Sequence, residues 1–70
     1  MELTKRESEV LGLVVAGERR KQIAYALGIS MRTVEAHLDK IKLKLGARNV
    51  ADLVRIAVKN ALVGEGGITV

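Results

Sequence analysis

Eight cationic side chains fall between residues 17 and 48, namely Arg19, Arg20, Lys21, Arg32, Lys40, Lys42, Lys44 and Arg48, and only Glu18, Glu35 and Asp39 oppose them. The segment carries a net +5, more than the +4 of the whole chain. Residues 1–16 sum to −1, with Lys5 and Arg6 against Glu2, Glu7 and Glu9, and residues 49–70 sum to zero, with Arg55 and Lys59 against Asp52 and Glu65. Positive charge confined to the middle of an otherwise balanced chain is the footprint of a polyanion-binding surface, and the chemistry it offers is charge-assisted hydrogen bonding to phosphate. Covalent chemistry has no comparable support. His37 is the only histidine, Ser30 has no histidine at useful spacing, and no cysteine is present, so the pattern assembles neither a catalytic constellation nor a metal site. Ser30 is read as a helix cap, and His37 as a half-buried histidine that hydrogen-bonds backbone or phosphate.

The elements that must position these cations are helices. Gly17, Gly28 and Gly46 each follow an apolar-periodic run, where a left-handed residue ends a helix, and no proline interrupts the chain. Helix one is expected to start at Thr4 with a Thr4/Glu7 capping box and to turn Val10, Leu11, Val14 and Val15 inward; Gly12 inside it costs about 1 kcal/mol relative to alanine. Helix two runs from about Arg20 to Leu27 with Ile23, Ala24 and Leu27 inward. Ser30 caps helix three, in which Val34, Leu38, Ile41 and Leu45 recur at helical spacing and fix one face against the domain. A short helix, a glycine turn and a second helix opening on a capping serine is the layout of a helix-turn-helix for duplex DNA.

Stepping about 100° per residue from Val34, the outward face of helix three holds Arg32, Ala36, Asp39 and Leu43, flanked by Thr33, Glu35 and Lys40. Cations and hydroxyls near the edges of the motif (Arg20, Lys21, Thr33, Lys40 and Lys44) suit phosphate oxygens, which set register without reading sequence. The face itself, Arg32, Glu35, Ala36 and Asp39, is the candidate base reader: a carboxylate accepts from a cytosine amino group, and an alanine methyl meets a thymine methyl. The bland alternative is that Glu35 and Asp39 pair with Arg32 and Lys40. Helix four begins at Asn49 and carries two apolar stripes. Leu53, Ile56 and Ala57 face the core, and Ala51, Val54, Val58 and Ala61 are free for a second copy across a two-fold axis or for packing under the tail.

Bulk properties narrow the classes further. A chain of 70 residues makes one domain with a marginal core, too small to enclose a deep catalytic cleft. Tyr25 is the only aromatic residue, which removes the stacking platforms of single-strand binders. No apolar run reaches the roughly 18 residues of a membrane span, and no secretory pattern opens the chain, so a cytoplasmic protein without membrane contact is expected. No cofactor and no small-molecule ligand of this segment are expected.

The runs Leu3-Thr4-Lys5-Arg6-Glu7-Ser8-Glu9-Val10-Leu11, Lys21-Gln22-Ile23-Ala24, Gly28-Ile29-Ser30 with Thr33-Val34-Glu35-Ala36-His37, and Lys44-Leu45-Gly46 resemble the LuxR/FixJ/GerE family of DNA-binding output domains over residues 3 to about 63. The resemblance implies an all-α, four-helix bundle containing a helix-turn-helix, residues 1–63 as that domain, and 64–70 as a flexible C-terminal tail. It also implies that helix three, about 31–45, enters the major groove and that helix four makes the homodimer contact. Members are transcription regulators, usually the output of a response regulator or autoinducer receptor, so double-stranded DNA and a second copy are the expected partners and RNA polymerase a further one. The resemblance places Lys21, Thr33 and Lys44 on phosphate. Three positions depart from the family: Arg19 stands where a small polar cap is usual, leaving that helix end to water, Val50 where arginine is common, and Lys42-Leu43 reverses the apolar-then-basic order, leaving Leu43 outward. Two rival readings are a helical module that binds a protein through helix four, and a promoter-recognition segment of a sigma factor.

Overall fold

Side-chain acceptors and left-handed glycines mark where the helices of this chain start and stop. A computed structural model describes residues 3–60, which form α1 (Lys5–Val15), α2 (Arg20–Leu27), α3 (Met31–Leu45) and α4 (Val50–Lys59), with no strand among the described residues. Ahead of α1, the Thr4 hydroxyl accepts from the Glu7 N–H at 3.1 Å while Glu7 Oε1 accepts from the Thr4 N–H at 2.9 Å, closing the capping box. Ser30 Oγ accepts from the Thr33 N–H at 3.0 Å before α3, and Asn49 Oδ1 accepts from the Asp52 N–H at 2.8 Å before α4. The start of α2 differs from expectation. A guanidinium has no acceptor, but that end is not left to water alone, because Gln22 Oε1 reaches back to accept from the Arg19 N–H at 3.0 Å.

The ends of α2 and α3 share one device, whereas α4 closes at Asn60 with φ −99°. Gly28 takes φ 69°, which lets its own N–H reach the Tyr25 carbonyl at 3.3 Å and the next N–H, of Ile29, reach the Ala24 carbonyl at 3.0 Å. This is the paired backbone closure of a Schellman turn, and it sets the sharp corner between α2 and α3. Gly46, at φ 71°, closes α3 in a related way, with the Ala47 N–H donating to the Lys42 carbonyl at 2.9 Å.

Val10, Leu11, Ile23, Ala24, Val34, Leu38, Ile41, Leu53 and Ala57 make one buried cluster contributed by all four helices. Helices α1 and α3 each pack against the other three. Leu13, Val14, Val15, Leu27 and Leu45 are only partly buried and pack around the rim, which is the consequence of a domain so small that each helix has a narrow inner stripe. The expected boundary at residue 63, the tail 64–70 and Ala61 lie outside the described residues.

Gly12 lies within α1, and a Cβ built on it meets no atom within 4 Å. Its helical backbone suits alanine, so the glycine contributes only unfolded-state freedom. Gly12→Ala is expected to stabilise the domain by about 1 kcal/mol and raise Tm by roughly 4–8 °C. Thermal melts followed by circular dichroism check this, and an unchanged or lower Tm contradicts it.

Candidate nucleic-acid interface

The core fixes which way α3 faces. Val34, Leu38 and Ile41 are buried, and on the opposite side Arg32, Glu35, Ala36, Asp39, Lys40 and Leu43 are all exposed, Leu43 by 84%. The candidate readers therefore share one continuous ridge. Thr33 lies at the start of that helix, half-buried, its hydroxyl 3.0 Å from the Ser30 hydroxyl. Lys21 on α2 is exposed, and neither it nor Arg32 or Lys40 makes an ion pair among the described residues. These three cations are therefore exposed and outside every ion pair among the described residues. His37 is half-buried at the border of the ridge and makes no side-chain hydrogen bond among the described residues.

The two acidic residues on this face have partners other than those expected from spacing. Glu35 Oε2 forms an ion pair with Arg20 Nε, 2.9 Å away across the gap between α2 and α3. Asp39 lies 3.6 Å from Lys42, one turn along the same helix. Arg32 and Lys40, the partners expected from the sequence, take neither. The first pairing depends on how α2 crosses α3, which periodicity within one helix does not encode.

Lys44, expected on phosphate, donates to Glu7 Oε1 at 2.6 Å and so ties the last turn of α3 to the first turn of α1. Glu7 is 3% exposed and is the buried charged residue among those described. The bond from Lys44, and after it the bond from the Thr4 N–H, hold its carboxyl below the usual 4.5 against the opposing effect of burial. Glu7 is a residue that sequence reasoning assigned to capping alone. The signal for more was its position: Val10 and Leu11 follow it by three and four residues, which puts its side chain on the inward face of α1.

A second carboxylate organises α4. Asp52 Oδ1 accepts from Arg55 Nη2 at 2.7 Å and from Arg55 Nε at 3.1 Å, while Oδ2 accepts from the Arg48 N–H at 3.0 Å. Those contacts, led by Arg55, lower its pKa from 3.8 and pin the connection between α3 and α4. Leu53 and Ala57 turn into the core, Ala51 and Val58 lie exposed on α4, and Val54 is half-buried between them. A shallow groove lined by Ser8, Glu9, Gly12, Leu13 and Leu27 contains none of the cations. Among the described residues, no three His, Cys, Asp or Glu side chains cluster to hold a metal ion, and no helix is long and apolar enough to cross a membrane.

The pattern of the family described as bacterial regulatory proteins, luxR family (GerE), matches residues 1–57. Transcriptional regulatory protein MctR of Rhizobium johnstonii is 45% identical over 65 residues, which cover 93% of this chain and 30% of that protein. The C4-dicarboxylate transport transcriptional regulatory protein DctR of Rhodobacter capsulatus is 54% identical over 50 residues, 71% of this chain and 25% of that protein. Among solved structures, a complex of the Vibrio cholerae protein VqmA with ligand and DNA superposes with a TM-score of 0.84 at 40% identity, covering 86% of this chain and 26% of that one. A VqmA dimer without its target DNA, described as informing LuxR-type receptors, gives a TM-score of 0.83 at 41% identity, over 84% of this chain and 27% of that one. The chain thus spans less than a third of the length of these relatives.

Proposed function

The chain belongs to the luxR family of bacterial regulatory proteins, as a helix-turn-helix DNA-binding domain of transcription regulators, and from that premise we propose that α3 reads the major groove while α4 joins two copies across a two-fold axis. The observation that carries this reading is the division of α3 into a buried side, Val34, Leu38 and Ile41, and an exposed ridge bordered by cations without ion-pair partners. A helix of about 10–12 Å diameter fills a major groove of about 12 Å only with one face against the bases, and α3 has one face to give.

In this arrangement Lys21, Arg20, Thr33, Lys40 and Lys44 address phosphate oxygens, helped by the first-turn N–H groups of α2. Lys44 does so from a side chain already anchored on Glu7, so its role in DNA affinity is joined to its role in folding. Arg32, Glu35, Ala36 and Asp39 face base edges: a guanidinium donates to guanine, a carboxylate accepts from cytosine, and the Ala36 methyl packs on thymine. Ala51, Val54 and Val58 supply the apolar contact between copies. The domain serves in the cytoplasm as the output of a longer regulator, with RNA polymerase as the partner that the bound dimer meets.

A two-fold dimer must read a two-fold site. Selection of duplexes from a random pool by the purified protein is expected to return an inverted repeat whose half-site centres lie about one helical turn apart. A pool that remains random overturns the reading of sequence by α3, and an asymmetric site bound by single copies overturns the α4 dimer.

A further inference from the structure

We propose that Arg20 is a positioning residue for base recognition, holding the Glu35 carboxylate in its reading conformation across the α2–α3 corner; this rests on the DNA reading above. The pair is 2.9 Å apart, and the two side chains remain 43% and 54% exposed. An ion pair that open to solvent contributes little to folding, so its effect falls on where the two groups point. Arg20 approaches Glu35 Oε2 through Nε as an ion pair, and no hydrogen bond engages Glu35 Oε1 among the described residues. Glu35 therefore keeps one oxygen to accept from a cytosine or adenine amino group while the other is fastened to the neighbouring helix.

Charge gives the same assignment. An uncompensated carboxylate on a helix entering the groove is repelled by the phosphates on both sides, and a cation held against it removes that repulsion without occupying the reading oxygen. Arg20 does this from α2, outside the ridge, which leaves Arg32 and Lys40 available for DNA. Lysine at position 20 would keep the charge but carry it as a compact ammonium on a flexible stem, with a different reach to Glu35. Discrimination at one base pair, lost in addition to any uniform loss of affinity, is the quantity that marks the positioning role of Arg20.

The experiment measures affinities of the unaltered chain, Arg20→Ala, Arg20→Lys, Glu35→Gln, the Arg20→Ala/Glu35→Gln pair and Lys21→Ala for the selected duplex, for each of its single-base variants, and across a salt series. Arg20→Ala and Glu35→Gln are both expected to lose discrimination, roughly tenfold, at the same base pair of each half-site, with the double variant no worse than either single one. Arg20→Lys should restore it in part. Lys21→Ala provides the contrasting behaviour of a phosphate contact, uniform weakening on every duplex with a salt slope lower by about one. Should Arg20→Ala follow the Lys21→Ala pattern, or its effect add to that of Glu35→Gln, the positioning role is wrong while the DNA reading stands. If the unaltered chain itself binds all duplexes alike, both are overturned.

Discussion

Ala36→Glu is expected to lower affinity for the selected duplex by roughly 100-fold or more at physiological salt while leaving the fold intact. Ala36 sits mid-ridge on α3, exposed, one turn from Arg32 and from Lys40. A glutamate there adds length and negative charge to the surface that, in the proposed complex, comes closest to the base pairs between two rows of phosphates. Its cost to folding should be slight, since an exposed helical position accepts glutamate nearly as well as alanine and the change typically stays within about 0.5 kcal/mol. Fluorescence anisotropy with labelled duplex gives the affinity, and far-UV circular dichroism melts give the fold. Retention of affinity within about threefold would show that the outward face of α3 does not meet DNA.

The second large effect is on stability and comes from Glu7. Its folded carboxyl titrates below the usual 4.5, because the charged form is bonded by Lys44 and by the Thr4 N–H. A group held below its unfolded value binds fewer protons in the folded state, so its contribution is complete above about pH 4.5 and is lost as pH falls through the lower folded value. Asp52, lowered from 3.8 by Arg55 and the Arg48 N–H, acts in the same direction over a more acidic range. Glu7→Ala removes the capping-box acceptor and the partner of the Lys44 bond that links the first turn of α1 to the last turn of α3. It is expected to lower Tm by roughly 10 °C or more at pH 7 and to flatten the decline of Tm as pH falls below about 4.5. Glu7→Gln keeps an oxygen for the Thr4 N–H but not the charge for Lys44, and should fall between the two. A Glu7→Ala protein with the original pH profile would show that the acid sensitivity arises elsewhere.

Much of the fold can be read from local chemistry because local chemistry makes it. Thr4, Ser30 and Asn49 cap the helices they precede, Gly28 and Gly46 end the ones they follow, and the spacing of Val34, Leu38 and Ile41 orients α3 without reference to any other element. The ridge followed from that orientation, since the outward side is whatever the inward side leaves. Contacts between helices were not legible in the same way. Lys44 and Glu7 are 37 residues apart, and Arg20 meets Glu35 because of the angle between two helices. Neither fact is a property of one helix face. Gln22 shows a smaller lesson: with arginine at the cap, the reciprocal half of the capping box still forms, Gln22 Oε1 accepting from the Arg19 N–H, while the cap side chain accepts nothing.

The separation between the two sides of α3 has a consequence for how such a domain can change its target. Arg32, Ala36 and Leu43 make no contribution to the buried cluster, so under the proposed reading their exchange changes recognition without requiring compensating repairs inside. New operators are thus within reach by small substitutions on an unchanged scaffold. Position 35 is the exception, because its partner belongs to another helix: a swap there is complete only when residue 20 changes with it.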